Sequence, residues 1–227
     1  MKPNPRPVTI ATTRGTLDWG PATLGAIMVV LTGALIVLVT PSLATGIIAG
    51  ERESGGWVLL QMTPLSTWSI VVGKLLSVAW IVLLILLATL PGYAVLWKID
   101  VTGDLRARMP QVMITLALTA VMSVLVSAAI SSLCTRTAAA TALAYSVLVG
   151  GASGTFLFWL GRDAPFPRNV VEKVLTINPL AAALTLIDAP GFVGYHLLPA
   201  NWWFMGGVCM ASVMVLLVQT WRLTRPR

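Results

Sequence analysis

Charge is scarce in this 227-residue sequence: Asp and Glu together number 8, 10% of all residues are charged, and histidine occurs once. The long apolar stretches carry no charged residue well inside them. Pumps and ion-coupled carriers keep an intramembrane Asp, Glu, Lys or Arg as a relay, so this absence argues against a self-powered secondary transporter. The lone His196 sits in the loop before the last apolar run and reads as a solvated or interfacial residue. It leaves no material for an HExxH zinc pair or a Ser-His-Asp triad. No GxxxxGK[ST] phosphate loop occurs. Cys134 and Cys209, the 2 cysteines present, fall in or beside different apolar runs without CxxC spacing, so neither a zinc site nor a disulfide framework is indicated. Uphill movement of a cargo would draw its energy from another polypeptide.

What the chain has in abundance is hydrophobic length. Hydrophobic residues make up 57% of it and the mean hydropathy is +0.87, a composition that belongs in a lipid bilayer. A helical span needs about 20 mostly apolar residues. Five runs qualify, roughly Ala22 to Ala49, Ile70 to Trp97, Gln111 to Leu133, Ala138 to Leu160 and Trp202 to Trp221. They are apolar on every side, unlike the short alternating segments of a β-barrel, so the expected fold is an all-α integral membrane protein with five transmembrane helices. Around them lie a tail (1–21), a polar loop (50–69), a long loop (161–200) and a basic C-terminal tail (223–227), with the membrane region covering 22–222. A cleaved signal peptide is the rival reading of the first run, but that run exceeds the usual apolar length. The net charge of +7 is scattered over short connections and the two ends, which fits membrane flanks and not nucleic acid.

The third run holds Thr115, Thr119, Ser123, Ser127 and Ser131 at a spacing of four, one small and weakly polar helix stripe. Close packing with hydroxyls bonded to their own backbone is one reading. Lining of a translocation path or a dimer seam is the other. Gly46 with Gly50 and Gly150 with Gly154 form GxxxG pairs that would let helices approach. Pro41 is expected to kink the first span. In the long loop, Asn178 as N-cap and Pro179 at the first position predict a short helix that dips into the membrane or lies on its surface. Trp97, Trp159, Trp202 and Trp203 sit near span ends, where indole rings favour the interface.

Between the first two runs the chain reads GERESGGWVLLQMTPLSTWSIVVGK over residues 50–74. Glu51, Arg52 and Glu53 follow an apolar run at once and must lie at or beyond the headgroups. Gly55-Gly56 lets the chain leave the helix axis. WVLLQM is a short apolar helix, and Thr63-Pro64 an N-cap followed by proline that starts the next span. A short apolar helix outside the bilayer either lies in the interface or inserts into a groove on a partner.

This stretch resembles the cytoplasmic loop of bacterial type-2 ATP-binding-cassette (ABC) transporter permeases, close to GERExGTLELLLxTPLSxxEIvlGK. The matching positions are Gly50, Glu51, Arg52, Glu53, Gly55, Leu59, Leu60, Thr63, Pro64, Leu65, Ser66, Ile70, Gly73 and Lys74. The resemblance implies a short cytoplasmic coupling helix that docks on a separate ABC ATPase subunit, which carries ATP and Mg; this chain would hold no cofactor and perform no bond chemistry. It also implies a second permease copy or homologous half, and a bacterial cytoplasmic membrane. Export is the expected direction. The alternative is a non-transporting membrane module that uses the same loop as an interaction or assembly surface.

Two departures stand out. Gly56, Val58 and Ser69 replace residues that are usually Thr, Glu and an acid, so any ion pair to the ATPase would rest on Glu51, Arg52 or Glu53 unless these merely cap and solvate a helix end. The family usually has six spans with this loop between the second and third, whereas one run precedes it here. With the loop inside, the outer side holds nine Lys or Arg (2, 6, 14, 98, 106, 108, 162, 168, 173) against six within (52, 74, 136, 222, 225, 227), opposite to the positive-inside rule. The motif outweighs that count, because long loops contribute little to it.

Overall fold

The computed structural model describes residues 20–56, 67–99, 104–161 and 166–224. Among these, the regular elements are helices: α1 (Pro21–Ala44), α2 (Ala49–Glu53), α3 (Thr67–Ile99), α4 (Asp104–Leu133), α5 (Thr137–Leu160), α6 (Arg168–Leu175), α7 (Pro179–Leu186) and α8 (Ala200–Thr224). Five segments are long and apolar enough to cross a membrane: Ala22–Glu53, Trp68–Ile99, Leu105–Leu133, Thr137–Leu160 and Ala200–Arg222. They correspond one to one with the five runs seen in the sequence.

The outer walls are as greasy as the interior. Leu31 and Leu35 of α1, Leu76, Trp80, Leu84 and Leu87 of α3, Val147 and Leu157 of α5, and Met210 and Met214 of α8 all face outward. Continuous apolar cover of this extent is unfavourable against water and natural against hydrocarbon, while the helices satisfy their own backbone groups. The chain is an all-α integral membrane protein.

α4 is the central post, packed on α1, α3, α5, α7 and α8. Its sequence accounts for that place. Val112, Leu116, Ala120, Val124 and Ala128 form one buried row, and the hydroxyl stripe Thr115, Thr119, Ser123, Ser127 and Ser131 forms a second, also buried. Side chains four apart stack along a helix, so two neighbouring rows bury a wide sector, and their small residues admit neighbours closely. α4 begins at Asp104, ahead of the expected Gln111, so Arg106 and Arg108 belong to the helix and not to a connection. The exposed Arg108 ion-pairs with Asp188 at 2.6 Å.

The long loop contains two helices where one was expected. α6 is amphipathic, turning Val171 and Leu175 inward and Arg168 and Lys173 outward. α7 follows the expected N-cap: Asn178 Oδ1 accepts from the N–H groups of Leu180 (2.9 Å) and Ala181 (3.4 Å), with Pro179 at the first position. It dips inward and does not lie on the surface, since all eight of its residues are buried. A glycine makes room for it. A Cβ at Gly33 of α1 would stand 2.0 Å from Leu180 Cδ2, so α7 presses on bare α1 backbone. The close approach thus falls at Gly33 and not at the GxxxG pairs. A Cβ at Gly46, Gly150 or Gly154 would meet nothing within 4 Å, and at Gly50 only Thr137 Oγ1 at 3.9 Å.

Trp202 is more than an interfacial anchor. Its indole N–H donates to Thr115 Oγ1 at 3.0 Å, tying the start of α8 to the hydroxyl stripe. Trp159 donates to Gly191 O at 3.0 Å and stacks on Phe192 with ring centroids 4.8 Å apart.

Candidate functional site

The first span is interrupted, but not at its proline. α1 runs through Pro41 to Ala44, and the break falls at residues 45–48, before α2 resumes at Ala49. The cause lies on α4. Ser131 Oγ donates to Thr45 O at 2.6 Å and accepts from the N–H groups of Ala49 (3.0 Å) and Ile48 (3.2 Å). In an unbroken helix Ala49 N–H would bond to Thr45 O; the hydroxyl stands between them. Insertion of a side chain into the ladder is one of the few ways to bend a helix sharply. Thr45 Oγ1 donates to Pro41 O at 2.7 Å and lies 2.9 Å from Thr141 Oγ1 of α5, so three helices meet at this joint. Ser131→Ala removes the bridge from a fully buried place, and a buried group left unsatisfied costs about 1–3 kcal/mol. We expect the apparent melting temperature of the purified protein to fall by roughly 2–10 °C; an unchanged transition would show that the joint does not need the hydroxyl.

Beyond the joint, α2 presents its three charges in three directions. Glu51 ion-pairs with Lys74 on α3, and Lys74 Nζ also reaches Ile47 O at 3.5 Å. Arg52 Nη1 donates to the carbonyls of Ser132 (3.2 Å) and Cys134 (3.3 Å), at the C-terminal end of α4. Glu53 Oε2 accepts from the N–H of Thr137 (2.8 Å) and from its hydroxyl, at the first turn of α5. Each sign suits its place, because a helix C-terminus carries partial negative charge and an N-terminus partial positive. The short turn between α4 and α5 is therefore held at both edges by adjacent residues of α2. Gly55 follows with φ +73, the left-handed position that ends helices.

Of the residues singled out in the sequence, Glu51, Arg52, Glu53, Gly55 and Lys74 gather at this end. Gly73 lies on the exposed wall of α3, where a Cβ would meet nothing within 4 Å. Leu59, Leu60, Thr63, Pro64, Leu65 and Ser66 lie outside the described residues. The stripe divides by chemistry. Thr115 and Thr119 donate to the carbonyls four residues back, Gln111 O (2.8 Å) and Thr115 O (2.7 Å). Ser131 serves the joint, while the Ser123 and Ser127 hydroxyls have no hydrogen-bond partner. Sequence reasoning did not anticipate Thr137, Ser132 and Cys134 as partners of α2. Their only signal was the brevity of the turn CTRTAAAT, with no residue type that marks an acceptor carbonyl.

Four apolar helices packed on a fifth, central one, with the charged α2 clasped at one end, define a multi-pass membrane protein. Residues 3–218 match the family model described as ABC-2 family transporter protein. The chain belongs to that family and is the membrane-spanning permease subunit of an ABC transporter, a transport component that is not itself catalytic. A search of curated proteins found no match.

Proposed function

We propose that this permease is an exporter subunit of a bacterial cytoplasmic membrane, driven through residues 50–74 by a separate ATPase subunit that binds ATP and Mg, and that two permease copies or homologous halves enclose the path. The observation that carries the reading is the clasp of α2. A push delivered to the loop at Glu51, Arg52 and Glu53 bears at once on α3, on the end of α4 and on the start of α5. Membership in the family supports an ATPase partner. In this reading the three charges position the loop from within the chain, and the apolar residues Leu59, Leu60 and Leu65, with Thr63, Pro64 and Ser66, supply the docking face. The loop is then cytoplasmic, and binding and hydrolysis of ATP shift the permease between inward-open and outward-open states.

Co-purification from intact cells with the candidate ATPase tests this. Leu60→Asp places a charge on the docking face and should abolish retention of the ATPase; Glu51→Ala should weaken it several-fold by freeing the loop from α3. Retention at the wild-type level by both variants would remove the assignment of this loop as the coupling element.

A further inference from the structure

On the outer wall between the end of α3 and the start of α4, away from the clasp, lies a groove of about 300 Å³. Leu90 and Ala94 line it from α3, and Met109, Pro110 and Met113 from α4. Leu90 is 43% exposed and Trp97, at the upper end, 53%, so the groove is open to the bilayer. Its one polar side chain below the mouth is Tyr93, whose hydroxyl is donated to Thr32 Oγ1 at 3.2 Å. Leu90 and Trp97 stand seven positions apart, as do Arg106 and Met113, which is about 10 Å along each helix. The groove thus descends through about two thirds of one leaflet's share of a hydrocarbon core about 30 Å thick.

The mouth has a different chemistry. Arg106, exposed in the first turn of α4, donates from Nη2 to Trp97 O at 3.2 Å, and its guanidinium lies 6.0 Å from the centre of the Trp97 ring. These contacts hold a cation over the top of the groove, at the level where the two spans end. A guanidinium carries five N–H donors in a planar fork that matches phosphate oxygens. Water alone would satisfy an exposed cation, and hydrocarbon alone would fill an apolar groove. A groove that is apolar along its length and cationic at its mouth complements a molecule divided the same way, with an acyl chain below a phosphate.

We infer that this groove is a phospholipid site, in which one acyl chain lies between α3 and α4 and the phosphodiester accepts hydrogen bonds from Arg106. The site belongs to the leaflet opposite the clasp. It lies within one subunit, and the inference does not depend on how the loop meets the ATPase.

The test uses the full chain in dodecyl maltoside, a detergent without phosphate, and two photolabels that carry the same diazirine-bearing acyl chain: a phosphatidylglycerol and a diacylglycerol. Adducts of the first are mapped by mass spectrometry and are expected on residues 90–97 and 106–113, displaced by unlabelled phosphatidylglycerol but not by inorganic phosphate. The diacylglycerol, which lacks the phosphate, should label these residues several-fold less. Arg106→Ala should bring phosphatidylglycerol down to the diacylglycerol level, and Arg106→Lys should restore part of the difference. Ala94→Phe should reduce both labels, because Ala94 lines the groove and is exposed. Equal labelling by the two lipids, or phosphatidylglycerol labelling undiminished in Arg106→Ala, would overturn the proposal and leave a groove for any hydrocarbon chain. Displacement by inorganic phosphate would overturn it in favour of a bare anion site, and absence of adducts on both segments would overturn it outright. If Ala94→Phe fails to fold, the Arg106 variants decide alone, since that side chain is exposed.

Discussion

Arg52→Ala is expected to lower permease-stimulated ATP turnover in the assembled transporter about tenfold, equivalent to about 1.4 kcal/mol, while the ATPase still co-purifies. The side chain makes two charge-assisted hydrogen bonds to carbonyls at the end of α4, a helix end whose partial negative charge favours a cation. Hydrogen bonds to charged groups contribute about 1.5–3 kcal/mol when well shielded. Arg52 is half-buried, so the lower end of that range applies. Its loss would leave α2 joined to the α4–α5 turn by Glu53 alone, and a force on the loop would spend itself in relative motion of loop and turn. Arg52→Lys should restore part of the turnover, since an ammonium keeps the positive charge at this helix end but lacks the planar, pre-organised guanidinium. Glu53→Gln should act in the same direction, through a weaker acceptor at Thr137. If Arg52→Ala binds the ATPase and stimulates it as wild type does, the clasp is not part of the transmission. This outcome is distinct from loss of docking, which Leu60→Asp reads.

Gly33→Val should reduce the yield of monodisperse protein several-fold, and Leu180→Ala in the same chain should recover most of it. The first Cβ already stands 2.0 Å from Leu180 Cδ2 and within 3.3 Å of Cγ and Cδ1, and valine adds two more carbons there. Leu180 is itself buried. Overpacking of a core costs about 1–3 kcal/mol and more when no rotamer relieves it. The paired variant matters because a steric fault is cured by removing the other partner, giving a large favourable coupling between sites that touch. Size-exclusion profiles of the two single variants and the pair measure it. A pair as poor as Gly33→Val alone would mean that the harm comes from α1 itself and not from the seat of α7.

The five spans were legible because hydrophobic length is a one-dimensional property, counted along the chain without knowledge of neighbours. Asn178 and Pro179 were legible for the same reason, since an N-cap acts within three residues. The rest depended on residues far apart in sequence. Ser131 and Ser123 are identical in spacing and type, yet one opens a helix and the other is buried with its hydroxyl unbonded. The difference is which part of α1 lies opposite, and spacing on α4 says nothing of that. Pro41 lies four residues before the break, and the break itself is bridged by a hydroxyl from another helix. The GERE motif suggested charges turned toward a partner; in the folded chain each has an internal partner, two of them about eighty residues away. α6 escaped because eight residues with two inward side chains give too short a period to stand out from a Pro-rich loop.

The hydroxyl between Thr45 and Ala49 bears on how the first span could change shape. In the bent form Ser131 takes part in three hydrogen bonds, to Thr45 O and from Ile48 and Ala49 N–H. A straight helix would also have three: Ala49 N–H to Thr45 O, Ile48 N–H to Ala44 O, and Ser131 Oγ to the carbonyl four residues back on α4. The bond count is conserved on passing from one to the other, so no buried polar group need be left bare at either end of the exchange. A span that can trade partners one for one in this way keeps a latch at the membrane edge, open or shut at similar cost, with the clasped α2 as its handle.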